Sequence, residues 1–533
     1  MSKSEKTVVS HLRPLPLKTF LYGSCYYPEH WDAATRALDG ERMAAAGWNA
    51  VRMGEFAWDY FEPEEGRFVF DLFDETIELL GKKGIKTILG TPTASPPRWL
   101  SVKEPEILRV DVNGVSQEHG SRQHASHFSP VFREASRRIT QALARHYAGH
   151  PEVIGWQTDN EFHCHFSEDY SPSAQAAFVV FLKERYAGID ALNKAWGTAF
   201  WAQTYRSFEE VPLPRPGKPT YVNPSHHLDY YRFLSWGVTL FQRDQVDILR
   251  EANPAWFVFH NGTFGGIDYR HDLASDLDFL AFDTYPQFTH DVVDKPVNHA
   301  FTLDRMRSHA GNFLVPEHQS GAGGQEPYLH DTPEPGEMRC ATWTSIAHGA
   351  DGVLYFRWRT CRFGAEIYWH GILDHDNVPR RRLEEATQIG REVKLAEADL
   401  LGTSVRAELG LALDDYVSGS AHRTYSMGLP GSDAVAWDVH AHFWKQGYLT
   451  GAAHPSDDLS GFKLYVLPHL VVVVDPAWVS NLESYVRGGG ILVVGARSGC
   501  RNTDNQAPAE SLPGVLASLC GVTVEEYGRQ NER

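Results

Sequence analysis

Between Leu21 and Trp358 the chain alternates short β-branched or apolar runs with longer amphipathic stretches, and nothing else in it constrains the fold as strongly. Each apolar run reads as a buried parallel strand, and each amphipathic stretch as the crossover helix that carries the chain back to the sheet. Eight runs can be placed, at residues 21–25, 49–53, 85–90, 154–160, 256–261, 279–283, 313–317 and 353–358, the fifth being the weakest pattern. Eight is the number that a closed (β/α)8 TIM barrel needs. Residues 32–46 and 73–83 read as helices, the second closed by Gly84. The stretch 167–227 is expected to elaborate the connection after strand four.

A barrel of roughly 250 residues or more fills much of a 533-residue chain but not all of it. A second, smaller α/β unit is expected from near Ser404, where VRAELGLALD, LYVLPHLVVVV and GGGILVVGAR look like strands. Gly488, Gly489 and Gly490 precede Ile491 and mark a helix-to-strand turn, whereas a phosphate-binding loop follows a strand and opens a helix. A strand is expected at 522–526, close to the last residue, which leaves room for a missing C-terminal piece.

Hydrophobic residues at 42% and charged residues at 22% match an ordinary globular protein. A formal charge of -18 disfavours nucleic acid and anionic lipid, which are bound through clustered Lys and Arg. The apolar run 464–474 is too short to span a bilayer and contains Pro468, so no membrane partner is expected. The first twenty residues show no apolar core of a secretory signal, and the six cysteines follow no CxxC spacing. A cytoplasmic enzyme acting on a neutral ligand is the expectation.

In a barrel of this kind, polar groups at the C-terminal ends of strands gather around one opening. Strand four runs out through Gln157, Asn160 and Glu161, and strand seven ends at Glu317. Carboxylates on strands three apart face each other across the mouth, as glycoside hydrolysis requires. A lone glutamate is more often a loop ion pair; two, each following an apolar run, shift the balance to catalysis. A retaining mechanism then has Glu317 as nucleophile and Glu161 as acid/base, with Asn160 placed for the sugar 2-hydroxyl.

The chain resembles glycoside hydrolase family 42, the β-galactosidases. The resemblance is carried by YYPEHW (26–31), GEFAWDYFEP (54–63), TPTASPPRWL (91–100), GSRQH (120–124), TDNEF (158–162) and HGADGVLYFRWR (348–359). It implies that Arg122, Asn160, Glu161, Glu317, Glu366 and His370 line the galactose subsite, with Tyr285 beside the nucleophile. A one-residue shift would put Trp369 in place of His370. Phe56, Trp58 and Trp99 are candidates for a sugar-stacking wall or for the core. The resemblance further implies a barrel over residues 1–400 and a flavodoxin-like oligomerisation domain over 401–533 that builds a homotrimer.

Two departures from the family pattern matter. Many members of the family it resembles carry a four-cysteine zinc cluster, but Ser126, Asp169, Ser171 and Ala174 stand in the corresponding places here, so neither metal nor other cofactor is expected. His163, Cys164 and His165 form no convincing metal patch, since alternate residues on an extended loop point apart. The stretch after the nucleophile, 318–324, lacks the tryptophan that relatives place near the sugar's exocyclic group. The expected activity is therefore exo-hydrolysis of terminal β-D-galactosyl residues from oligosaccharides. The competing readings are an α-L-arabinopyranosidase, an endo-acting relative, and a catalytically silent sugar-binding barrel or scaffold.

Overall fold

The computed structural model describes residues 17–215, 222–287, 294–325, 328–413, 415–426, 428–473 and 475–528. Eight parallel strands form the main sheet: β1 (Leu21–Cys25), β2 (Ala50–Met53), β3 (Lys86–Gly90), β4 (Val153–Gln157), β5 (Phe257–His260), β6 (Phe279–Leu280), β7 (Phe313–Gln319) and β8 (Ala350–Phe356). Their order, 6-5-4-3-2-1-8-7, leaves one seam between β6 and β7. That seam closes just beyond β6, where Phe282 N donates to Leu314 O at 3.0 Å and Thr284 N to Glu317 O at 2.8 Å. All eight expected strands are present and the sheet is a barrel.

Alternation along each strand separates two apolar sets. Leu21, Ala50, Ile88, Phe259, Phe279, Leu314 and Leu354 fill the barrel interior, while Tyr22, Val51, Leu89, Val258, Val315 and Tyr355 pack outward under the helices. Full burial of such side chains stabilises the fold by roughly 1.5–3 kcal/mol apiece before chain entropy is counted. The same alternation points Arg52 inward from β2, between Ala50 below it and the mouth above.

The first two crossover helices are α1 (Ala33–Ala45), N-capped by the Asp32 side chain, and α2 (Asp71–Gly81), after which Gly84 takes φ +78°. The third is α3 (Pro130–Tyr147). The elaboration after β4 contains α4 (Pro172–Arg185) and α5 (Ile189–Trp196), stacked on the long α6 (Pro224–Ala252) through a separate core around Phe178, Trp196 and Phe233. Helices α7 (Lys295–Ala310), α8 (Glu337–Ala347) and α9 (Arg381–Leu400) complete the ring. No helix among the described residues is long and apolar enough to cross a membrane.

A second parallel sheet holds β9 (Leu409–Leu411), β10 (Thr450–Ala452), β11 (Leu464–Leu467) and β12 (Ile491–Val494) in the order 10-9-11-12. Relabelled from its own start, the order is 2-1-3-4, as in the first four strands of a flavodoxin-like sheet. Two expectations need correction. Strand β10 has no counterpart in the sequence reading, because three residues, one of them glycine, give too little periodicity. Residues 522–528 carry no strand. The Gly488–Gly490 turn does join a helix, α12 (Pro476–Arg487), to β12; the two helices before it in this unit are α10 (Tyr416–Thr424) and α11 (Ser432–Trp444).

The second sheet is anchored on α7. Phe301 packs among Leu409, Leu411 and Val466. Asp304, buried one turn on, accepts from Arg307 Nη2 at 2.8 Å and Thr450 Oγ1 at 3.2 Å, and lies 2.8 Å from His348 Nδ1 and 3.1 Å from His440 Nε2.

Candidate active site

Strand β4 leaves the sheet at Gln157, and the chain then places Asp159, Glu161 and His163 at φ +49°, +47° and +67°. Left-handed backbone at three non-glycine residues is unfavourable and survives only where the surroundings fix it. Here they do. Asp159 Oδ1 accepts from Asn160 N at 2.7 Å, and Asn261 Oδ1, just past β5, accepts from Glu161 N at 3.0 Å. The buried Gln123 donates to the carbonyls of Asn160 (2.8 Å) and Glu161 (2.6 Å). These contacts aim the Glu161 side chain into the mouth, and they give the GSRQH segment a local structural reason.

Glu317 sits inside β7, its side chain 6% exposed. Arg52 Nη2 donates to its Oε1 at 2.6 Å and the Tyr285 hydroxyl to its Oε2 at 2.6 Å. Arg52 is itself held by Glu55 Oε1 and Gln157 Oε1, both at 2.9 Å. On the other side, Arg122 Nη2 donates to Glu161 Oε2 at 2.9 Å, and its Nε to His165 Nε2 at 2.8 Å. Asn160 Oδ1 accepts from Gln157 and Asn261, which leaves its amide nitrogen as the donor facing Glu161 Oε2 at 3.3 Å.

Burial raises the Glu161 carboxyl above the ordinary carboxylate range; Arg122 opposes this and the charge of Glu317 adds to it. The Tyr285 hydroxyl is pushed well up, first by burial and then by Glu317. His165 is lowered to about 4 by burial and by Arg122, so it accepts as a neutral ring. One glutamate is thus disposed to carry a proton while the other receives two strong donors.

Oxygens of Glu161, Glu317 and Asp283 all lie within 4.8 Å of one another, which also meets a metal-ligand distance among the described residues. Arg122 and Arg52 already neutralise two of the three, so the cluster is not read as a cation site. His163 is turned into the protein beside Gly266 while Cys164 faces the cavity, so the 163–165 run does not converge. Ser171 caps α4 by accepting from Ala174 N.

Above the carboxyls lies a cavity of about 380 Å³, bordered by Arg122, Glu161, Tyr285, Glu317 and Glu366. Glu366 is fixed from behind by Arg357 Nη1 at 3.2 Å. His370, expected on the subsite, is not among the residues that border this cavity. The loop after β7 pins its backbone, with Ala322 O accepting from His370 N at 2.8 Å and Gly321 so close that a Cβ would meet His370 O at 2.6 Å. The ring then turns to Asp374, 2.7 Å away, and Trp369 faces the cavity instead, 5.3 Å from the Tyr285 ring. Of the three aromatic candidates, Phe56 lies under the Arg122 guanidinium, whereas Trp58 and Trp99 belong to the packing around Glu62. Arg52, Glu55, Asn261 and Asp283 were missed by the sequence reading. A charged residue inside the apolar strand 49–53 and polar residues ending strands five and six were the available signals.

An eight-stranded parallel barrel whose mouth holds two opposed glutamates, one clamped by arginine and tyrosine, has the architecture of a glycoside hydrolase. Comparison with known proteins narrows the class. The family model of glycoside hydrolase family 42, described as beta-galactosidase, matches residues 25–396, and that of the beta-galactosidase trimerisation domain matches residues 421–532. A beta-galactosidase of Thermus thermophilus is 39% identical over 95% of this chain and 79% of its own. The structure of a beta-galactosidase from Halorubrum lacusprofundi superposes with a TM-score of 0.89 at 38% identity, covering 95% of this chain and 77% of the other. That of a Bacillus circulans beta-galactosidase gives 0.90 at 28% identity, over 95% and 75%. The chain belongs to glycoside hydrolase family 42, and it is an enzyme of the β-galactosidase type.

Proposed function

We propose that the protein is a retaining exo-β-galactosidase in which Glu317 attacks the anomeric carbon and Glu161 first protonates the leaving oxygen and then activates water. The observation that carries this reading is the approach of the two carboxyls to within 4.8 Å. Inverting enzymes separate them by roughly 6.5–9.5 Å to admit a water, and retaining ones by about 5–5.5 Å. Arg52 and Tyr285 each donate to Glu317 and orient its carboxyl. Arg122 and Glu366 offer hydrogen bonds to sugar hydroxyls, and the amide nitrogen of Asn160 to the 2-hydroxyl, a contact that strengthens in the oxocarbenium-like transition state. The substrate is a galactoside oligosaccharide.

A second reading, an α-L-arabinopyranosidase on the same barrel, is favoured by Trp369. An apolar ring in the place expected for His370 suits a sugar that shares galactose's ring hydroxyls and lacks its hydroxymethyl group. Initial rates on paired aryl β-D-galactopyranoside and α-L-arabinopyranoside substrates separate the two, with Glu161→Ala and Glu317→Ala as controls. A galactoside preference lost in both variants supports the main reading. An arabinoside preference moves the assignment, and turnover of neither sugar removes it.

A homotrimer is also part of the proposal, supported by the match of residues 421–532 to a trimerisation domain. Light scattering on a size-exclusion column tests it, and a monomer at working concentration rejects it. The six cysteines are all unpaired, which suits a reducing, cytoplasmic compartment.

A further inference from the structure

Asp283, three residues beyond β6, lies at the mouth beside both glutamates and forms no ion pair among the described residues. Its Oδ2 accepts from Asn261 Nδ2 at 2.7 Å, and its Oδ1 is buried with no protein donor. Oxygens of its carboxyl and of the Glu161 and Glu317 carboxyls lie within 4.8 Å of one another, too close for all three groups to stay ionised.

The groups facing it come from every side of the mouth. They are Cys25 from β1, Arg52 from β2, Arg122 from the loop after β3, Glu161, Cys164 and His165 after β4, and Tyr285 and Glu317. Glu366 stands at the far wall. Cys164 and Tyr285 stay protonated and His165 neutral at ordinary pH. Four carboxyls, Glu55, Glu161, Asp283 and Glu317, therefore share two guanidinium charges. Arg52 is taken by Glu55 and Glu317, and Arg122 by Glu161. Burial and the charges of Glu317 and Glu161 hold the Asp283 carboxyl well above its usual range.

We propose that Asp283 and Glu161 hold one proton between them through the working pH range, so that Asp283 is a positioning residue that keeps the acid/base loaded. The inference rests on Glu161 being the acid/base. It fits the charge balance of the two steps. In the first, the shared proton passes from Glu161 to the glycosidic oxygen as that C–O bond breaks and Glu317 bonds to the anomeric carbon. One negative charge leaves Glu317 as it becomes an ester, and one appears on the Glu161–Asp283 pair, so the total charge of the mouth does not change. In the second, water gives its proton back to the pair as its oxygen displaces Glu317. A doubly charged pair is a stronger base than Glu161 alone.

The test is the pH profile of kcat/KM on an aryl β-galactoside, using the full chain as wild type, Glu161→Ala, Asp283→Asn and Asp283→Glu. Removing the second negative charge lets Glu161 lose its proton more easily, so in Asp283→Asn the alkaline limb is expected to move down by about one pH unit or more. Asp283→Glu keeps the shared proton and is expected to hold the limb near the wild-type position. An activity loss in Asp283→Asn that is uniform across pH, with the limb unmoved, overturns the proposal and leaves Asp283 a structural role. If Asp283→Asn does not fold, isotope-edited infrared titration of the wild type replaces it. One protonated carboxyl persisting up to the alkaline limb supports the shared proton, and its loss at ordinary carboxylate pH overturns it. Failure of the parent reading looks different: the alkaline limb would survive in Glu161→Ala.

Discussion

Arg52 and Glu317 are 265 residues apart in the chain and meet at 2.6 Å inside the barrel, the guanidinium fully buried and the carboxylate nearly so. The pair sits on strands separated in the barrel by β1 and β8, and closure of the sheet brings its members together. A lysine cannot reproduce a guanidinium that serves Glu317, Glu55 and Gln157 at once. Arg52→Lys is expected to lower kcat/KM by about 10²-fold or more, in line with losing a preorganised charge contact at a reacting group. Steady-state kinetics with circular dichroism as a folding control checks this.

Tyr285 gives Glu317 its other strong donor. Hydrogen bonds to charged groups contribute about 1.5–3 kcal/mol, so Tyr285→Phe is expected to reduce kcat by roughly 10- to 150-fold with the fold intact. A change confined to KM would count against the orienting role.

The cavity wall is tested by a pair of truncations. Trp369→Ala is expected to raise KM by about 2- to 10-fold with a smaller change in kcat, the scale of a lost aromatic packing contact. His370→Ala, which removes a ring turned toward Asp374, is expected to leave both constants near wild type. The opposite pattern would put His370 on the substrate.

Much of this was legible beforehand. The eight strands announced themselves because buried parallel strands concentrate apolar residues into short runs, and both catalytic candidates were found as polar residues terminating such runs. The family resemblance pointed to Arg122, Tyr285 and Glu366, which border the cavity. What stayed hidden depends on contacts distant in sequence. The inward direction of Arg52 is a matter of strand phase, and the turning of His370 away from the cavity follows from the close approach of Gly321. Strand β10 pairs with β9 through three residues whose pattern, Thr-Gly-Ala, has no strand signature of its own.

Asp304 gives a stability prediction away from the site. Burial alone would raise its carboxyl, but the contacts with His348 and His440 and the charge of Arg307 outweigh burial and hold it below the usual range. A depressed carboxyl contributes stability that is present above its unfolded value near 4 and is lost as pH falls below it. Attachment of the second sheet to the barrel is therefore expected to weaken below about pH 4. Asp304→Asn is expected to destabilise the protein by about 3–5 kcal/mol at neutral pH, as when a buried ion pair loses one member. Calorimetric scans across pH measure both; an Asp304→Asn melting curve indistinguishable from wild type would remove the claim.

The alkaline side of activity follows from Glu161. Its raised carboxyl must be protonated to act as the acid, so kcat/KM is expected to fall as pH rises through a value above the ordinary carboxylate range. In Glu161→Gln that limb is expected to disappear, while substrates with strongly activated aryl leaving groups lose less activity than poor ones. A limb retained in the variant would assign it to another group.

The most direct test of the central claim is to trap the covalent intermediate with an activated 2-deoxy-2-fluoro-β-galactoside and map the label by peptide mass spectrometry. One sugar per chain is expected, on the carboxylate of Glu317, with release of β-configured galactose from ordinary substrates. A label on another residue, or no adduct together with α-galactose as the first-formed product, would contradict it.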